Sequence, residues 1–211
     1  MSGHTCTACQ SRRQFLGTGL MLGAGLMLPS WATAGGFRTL SGDVRINGTL
    51  ASQRSRVYAN STIHTGADSS TSFVIGDNAF LLRPHSKVRF TPVKRNNVAI
   101  ATLRLVTGGL LSVFGPGPKK LLTPTATIGI RGTGVYMEAQ DHSSYVCLCY
   151  GTVDLSANNQ PSTVDTLEAS HHQGKEASQD GLITAADMRA HTDDELVMLE
   201  ALVGRKVPFA V

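Results

Sequence analysis

The 211-residue chain is poor in charge, with 16% Asp, Glu, Lys and Arg, and poor in aromatic residues, at 6%. Four cysteines are too few for a disulfide-stapled scaffold, and 41% hydrophobic residues are too many for a disordered chain. Its 22 glycines follow no triplet period, which excludes collagen. No apolar run reaches the roughly 20 residues that cross a hydrocarbon core, and the run from Gly17 to Leu28 stops at Pro29. Catalytic signatures are missing as well. There is no G-x-S-x-G elbow and no H-E-x-x-H pair, and Asp193-Asp194-Glu195 is explained by the dipole at a helix start. These absences favour a non-enzymatic protein.

What is present begins with an address. Residues 1–34 carry Arg12 and Arg13 and no acidic residue. Ser11-Arg12-Arg13-Gln14-Phe15-Leu16 precedes the weakly apolar run, and Ala32-Thr33-Ala34 closes it as a small-x-small cleavage site. This is the pattern of a twin-arginine export signal, with Arg12, Arg13, Phe15 and Leu16 at its centre and cleavage after Ala34. The expected location is periplasmic. An uncleaved signal acting as an anchor is the alternative. Cleavage leaves 177 residues with no membrane span, lowers the net charge from +4 to +2, and removes Cys6 and Cys9.

From Phe37 to about Leu167, short β-type runs alternate with Gly, Asn, Asp and Pro. Ser72–Ile75 and Ala79–Leu82 flank the turn Gly76-Asp77-Asn78. Further runs are Val88–Thr91, Val98–Val106, Leu110–Phe114, Ala126–Ile130, Val135–Ala139, Tyr145–Tyr150 and Val153–Leu155. No helix interrupts them, so the expected fold is all-β, either a solenoid-like stack of hairpins or a β-sandwich. Residues 170–181 read as a polar surface loop. A short C-terminal α-helix then runs from about Asp193 to Val203, opened by the capping box Thr192/Glu195 and closed by Gly204. Its stripe of Leu196, Leu199, Leu202 and Val203 either docks on the sheet or binds a partner.

Charge is uneven along the chain. From Asn78 to Met137 there are nine Lys or Arg and no acid, while residues 138–211 hold twelve acids against four bases. Either the basic middle, including Arg83, Lys87, Arg89, Lys94 and Arg95, faces an anionic partner, or the acidic end packs beside it. A mature charge of +2 is far from that of a nucleic-acid binder, so no nucleic-acid partner is expected.

The glycines of Thr123-Pro124-Thr125-Ala126-Thr127-Ile128-Gly129-Ile130-Arg131-Gly132-Thr133-Gly134 do not form a nucleotide loop, because strand-type residues follow where a helix is needed. They read as a turn between two strands, with Gly129, Arg131, Gly132 and Thr133 at its centre. Together with Gly42-Asp43-Val44-Arg45-Ile46-Asn47-Gly48, Ile63-His64-Thr65-Gly66-Ala67-Asp68-Ser69, Ser72–Asn78 and the stretch Leu105–Leu110 with Gly108-Gly109, this run resembles the FecR-like domains of bacterial envelopes. The resemblance covers about residues 37–157. It implies hairpins in a solenoid-like arrangement, and envelope sensing or protein interaction rather than catalysis; the expected partner is an envelope protein or cell-wall polymer. The best-known members are membrane-spanning sigma-factor regulators with a cytoplasmic N-terminal segment. Only eleven residues precede the signal core here, so the anti-sigma half of that activity is not expected. The expected organisation is a signal at 1–34, a FecR-like β domain at 35–169, and a polar loop with the helix at 170–211.

Cys147-Leu148-Cys149 is the other feature able to carry chemistry. Strand alternation places both thiols and Tyr145 on one face, with Val146, Leu148 and Tyr150 on the other. Both faces are apolar, as in a covered strand. In a regular strand the i and i+2 Cβ atoms lie about 7 Å apart, too far for the roughly 4 Å of a disulfide unless a bulge intervenes. The thiols are therefore buried and free, bridged across a bulge, or half of a site for a transition metal such as zinc completed by His171 and His172, with His191 as an alternative. The last reading makes the protein a periplasmic metal-binding or redox protein. In the others no cofactor is expected.

Overall fold

The structure is a computed structural model that describes residues 35–94 and 96–209. The export-signal residues Arg12, Arg13, Phe15, Leu16, Ala32 and Ala34, and Arg95 of the basic middle, lie outside the described residues.

Among the described residues, fifteen strands and one helix are formed. The strands are β1 (Gly36–Ser41), β2 (Val44–Ile46), β3 (Thr49–Leu50), β4 (Thr62–Thr65), β5 (Ser70–Ile75), β6 (Asn78–Leu82), β7 (Lys87–Val93) and β8 (Asn96–Val113). They continue as β9 (Pro118–Leu122), β10 (Ala126–Arg131), β11 (Gly134–Ala139), β12 (Ser143–Ala157), β13 (Asp165–Ala169), β14 (Gln173–Ser178) and β15 (Ile183–Ala186), followed by helix α1 (Asp193–Leu202). The all-β expectation with one C-terminal helix holds. The hairpins assemble into two facing sheets. The first runs β1-β5-β6-β8-β11-β12-β14-β15, all antiparallel. The second runs β3-β2-β4-β7-β8-β9-β10-β12-β13, with β8 and β9 parallel and all other pairs antiparallel.

Strands β8 and β12 belong to both sheets. Residues of β8 up to Thr107 pair with β7 in the second sheet, and from Gly108 onward β8 pairs with β11 in the first. In β12 the change falls at Gly151, after which the strand pairs with β13. Both glycines have positive φ, 79° and 95°. The sequence suggests a strand end at each place, because glycine breaks the β-type run; the structure instead bends the chain there and lets it change sheets. At Gly108 the requirement is also steric, since a Cβ would lie 2.1 Å from Ser86 Oγ and 2.6 Å from Ser86 Cα.

The two sheets enclose one core. Phe73 and Phe80 of the first sheet stack with centroids 5.1 Å apart, and Phe90 of the second sheet meets them edge-on at 5.9 and 5.1 Å. Each such pair contributes about 0.5–1.5 kcal/mol beyond the burial of its area. A second apolar layer lies on the outer face of the first sheet, where Leu196 and Leu199 of α1 pack with Leu81, Leu111, Val113, Tyr136 and Tyr150. The helix stripe therefore docks on the sheet, and the capping box is present as read.

The segment 170–181 is not a polar loop. Gln173–Ser178 pairs with the first half of β12 and Ile183–Ala186 pairs with β14, extending the first sheet by two strands. Gly174, Lys175 and Glu176 have little intrinsic strand preference, so the pairing offered by the β12 edge decides the conformation.

Gly108→Ala is expected to cost about 2–3 kcal/mol of unfolding free energy, because a side chain is forced into a left-handed backbone and against Ser86. Gly36→Ala, where nothing lies within 4 Å of the added carbon, is expected to stay within about 0.5 kcal/mol. Urea denaturation of the two variants against wild type measures the difference.

Candidate metal-binding cluster and the segment that covers it

The outer face of the first sheet carries a cluster of cysteine, histidine and acidic side chains. Strand β12 carries a bulge: Gly134 pairs with Tyr150 and Val135 with Leu148, which leaves Cys149 as the extra residue. Cys147, Cys149 and Tyr150 therefore share the outer layer, whereas Val146 and Leu148 face the core between the sheets. This corrects the simple alternation, which places Tyr150 opposite the thiols. Gly134 leaves the room, since a Cβ there would lie 2.4 Å from the Tyr150 ring.

Both thiols are free and fully buried. Two histidines reach them from elsewhere in the chain. His172 lies in the connection between β13 and β14, where its N–H donates to the Cys149 carbonyl at 3.0 Å. His191 immediately precedes the N-cap of α1. Cys147 Sγ is 3.7 Å from His172 Nδ1, Cys149 Sγ is 3.4 Å from His191 Nε2, and the two ring nitrogens are 3.2 Å apart. All four ligand-type atoms lie within 4.8 Å of one another.

The other nitrogen of each ring is occupied. His191 Nδ1 is 2.8 Å from the Arg189 carbonyl, and His172 Nε2 is 2.7 Å from Asp193 Oδ1. His171 stays outside the cluster. It is half exposed and sits 3.0 Å from the other oxygen of Asp193. Of the candidate ligands, His172 and the alternative His191 are turned toward the sulfurs, and His171 is not. Hydrogen bonding from Cys149, joined by His191 and His172, outweighs burial and holds the Cys147 thiol well below its ordinary range. Burial, together with the adjacent Cys147 sulfur, pushes Cys149 up. The bond from His172, with a further one from His171, keeps the Asp193 carboxyl below the usual carboxylate range.

Residues 187–209 close over this cluster. The Tyr145 hydroxyl donates to the Asp187 carbonyl at 2.9 Å, and Arg189 lies 4.1 Å from the Tyr145 ring centre while pairing with Glu138 and Glu176, each at 3.0 Å. His191 stacks on Tyr136 at 4.7 Å. Arg83 clamps the helix start, donating through Nη1 and Nη2 to both carboxylate oxygens of Glu195, at 2.7 and 2.6 Å, and through Nη2 to the Ala190 carbonyl at 2.7 Å. At the far end of α1, Glu200 is buried, accepting from the Tyr150 hydroxyl and from Arg205 Nε at 2.6 Å. Nothing in the sequence singles out Glu200, since its position in the helical repeat reads as an ordinary surface acid.

The other expected features disperse. Gly129 lies inside β10, paired with Lys120 and Asp154, and not in the turn. Gly132, with φ of 73°, makes the turn, Thr133 is buried, and Arg131 is exposed with Asp154 3.8 Å away. Of the basic middle, Arg83 is engaged by Glu195, as the packing alternative requires. Lys87, Arg89, Arg104 and Lys120 remain exposed on the outer face of the second sheet. Arg89 and Arg104 sit directly opposite one another across β7 and β8. No ion pair engages these four among the described residues.

Comparison with known proteins adds three findings. The FecR protein family model matches residues 61–154, the block from β4 into β12. Two crystal structures of a candidate anti-sigma factor from Parabacteroides distasonis ATCC 8503 share the fold, with TM-scores of 0.51 and 0.50 at 14% identity over 66% of this chain. The chain spans 64% of those proteins. No curated protein matches the sequence.

Burial raises the Glu195 carboxyl, but the bonds and charge of Arg83 prevail and hold it below the ordinary range. A carboxylate lowered on folding stabilises above its unfolded value, about 4.3, and ceases to do so as pH falls through its folded value. Glu195→Gln is therefore expected to lose about 1 kcal/mol at neutral pH, the figure for a partly screened pair. It is also expected to show a shallower loss of stability than wild type between about pH 5 and 3. Urea denaturation across that range reads both.

Proposed function

We propose that the chain is an exported sensing or regulatory module of the bacterial envelope, non-catalytic, working in the periplasm through contact with an envelope protein or anionic cell-wall polymer. The observation that carries this reading is the FecR family match over residues 61–154, and the shared two-sheet fold is consistent with it. The burial of both thiols also favours a non-catalytic role, because a buried sulfur offers no approach to a substrate.

The contact surface we assign is the outer face of the second sheet. Its row of Lys87, Arg89, Arg104 and Lys120 carries like charges on adjacent strands, and directly opposed like charges are unfavourable in the free protein. A partner bearing carboxylates or phosphates relieves that repulsion on binding. The module so read binds no nucleic acid and has no membrane span in its mature chain, and twin-arginine export delivers it folded.

Fractionation with N-terminal sequencing is expected to find the wild-type chain in the periplasm beginning at Gly35, and Arg12→Lys/Arg13→Lys to remain in the cytoplasm. Cytoplasmic wild-type protein would remove the export reading. In cross-linking from intact cells, Arg89→Glu/Arg104→Glu is expected to lower partner capture about tenfold. Capture by wild-type protein should weaken as salt is raised. Capture indifferent to both changes would exclude the basic face.

A further inference from the structure

We propose that Cys147, Cys149, His172 and His191 form a closed tetrahedral site for a zinc-class divalent transition-metal ion, which fastens the C-terminal segment onto the first sheet. The inference rests on side-chain geometry and stands apart from the envelope reading.

Four observations converge. The spacing is that of a tetrahedron: bond lengths of about 2.3 Å to sulfur and about 2.05 Å to nitrogen give edges of about 3.5 Å between S and N and about 3.3 Å between N and N. Two of the four sulfur–nitrogen separations here are 3.7 and 3.4 Å, the two nitrogens are 3.2 Å apart, and every remaining edge lies within 4.8 Å.

The rings are also set in the tautomers a metal requires. The Arg189 carbonyl can only accept, so His191 Nδ1 carries the proton and Nε2 offers a lone pair. Asp193 likewise holds the proton on His172 Nε2 and frees Nδ1. Two lone pairs facing each other at 3.2 Å repel unless something positive lies between them.

Burial supplies the third observation. Both thiols are fully buried. As the metal–sulfur bonds form their protons pass to solvent, and a divalent cation cancels the −2 of the two resulting thiolates in a place where an uncompensated charge is costly.

Backbone strain is the fourth. His172 itself, at φ of 41°, and Ala190 beside His191, at φ of 59°, occupy the left-handed region that non-glycine residues avoid. Such strain persists where the surroundings over-determine it.

Two sulfurs and two nitrogens in a tetrahedron select zinc among the common divalent ions. All four coordination positions come from the protein, and Cys147, Cys149 and His191 are buried, so no position is open to a substrate. This is the pattern of a structural ion. The ligands arrive from three places: β12, the connection before β14, and the residue before the N-cap of α1. One ion thus ties residues distant in sequence.

Full-length protein purified in reducing buffer without chelator is expected to contain one zinc per chain. Replacement by cobalt(II) should give the intense visible bands of a tetrahedral ion with thiolate charge transfer in the near ultraviolet. Cys147→Ser/Cys149→Ser and His172→Ala should lose these bands, and His171→Ala should keep them. Because those variants can fail to fold, a second measurement uses wild type alone. Stripping the metal with a chelator should make Cys147 and Cys149 reactive under native conditions and speed hydrogen exchange across residues 187–209, with the second sheet still protected. A reduced, folded wild-type chain that takes up neither zinc nor cobalt would overturn the proposal. So would an octahedral cobalt spectrum, an exported chain lighter by two hydrogens from a Cys147–Cys149 disulfide, or loss of the bands in His171→Ala. Unchanged exchange over 187–209 after stripping would overturn the fastening role.

Discussion

Strands β8 and β12 hold the molecule together because each is a member of both sheets. A strand that leaves one sheet at a glycine and enters the other makes the two layers mechanically inseparable, and it closes the Phe73, Phe80 and Phe90 core from two sides. It also sets what lies outside. The first half of β12 has the inter-sheet core beneath it, so the residues of its opposite face need a cover of their own, and an apolar sheet face left in water would be a liability. Residues 187–209 provide that cover.

The cover is held by unlike forces in different places. Leu196 and Leu199 contribute apolar burial, about 1.5–3 kcal/mol for each side chain fully removed from water. Arg83, Arg189 and Arg205 contribute charged contacts, each reaching from one element to another. Glu200 is tolerated in the buried layer because Tyr150 and Arg205 satisfy it together; a buried carboxylate with neither would be strongly unfavourable. Under the middle of the cover lies the Cys–His cluster, whose sulfurs and facing ring nitrogens point at each other.

Basic and acidic halves of the sequence meet a divided fate. Arg83, from the basic middle, turns toward the acidic C-terminal segment and is neutralised there, while Lys87, Arg89, Arg104 and Lys120 turn the other way, onto the second sheet. The division follows from the two-sheet architecture, since the acidic helix covers only the outer face of the first sheet.

Much of this was legible in the chain itself. Hairpin β5–β6 followed from Gly76-Asp77-Asn78, and α1 followed from Thr192, Glu195 and Gly204, because turn and cap chemistry act over a few residues. The shared face of Cys147 and Cys149 followed from strand alternation. What was not legible depends on long-range pairing. Gly108 and Gly151 look like strand ends in any short window, and only the second sheet turns them into corners. Residues 173–186 have weak strand preference of their own and become strands because β12 offers an edge. The bulge at Cys149, which carries Tyr150 to the other face, is fixed by register against β11. The sequence by itself thus determined the β class, the helix and the paired thiols, all set by local conformational preference. Which histidines meet those thiols was decided by the tertiary structure alone, because 19 residues separate His172 from His191 and only the added strands β14 and β15, with the docking of α1, bring the two rings within 3.2 Å.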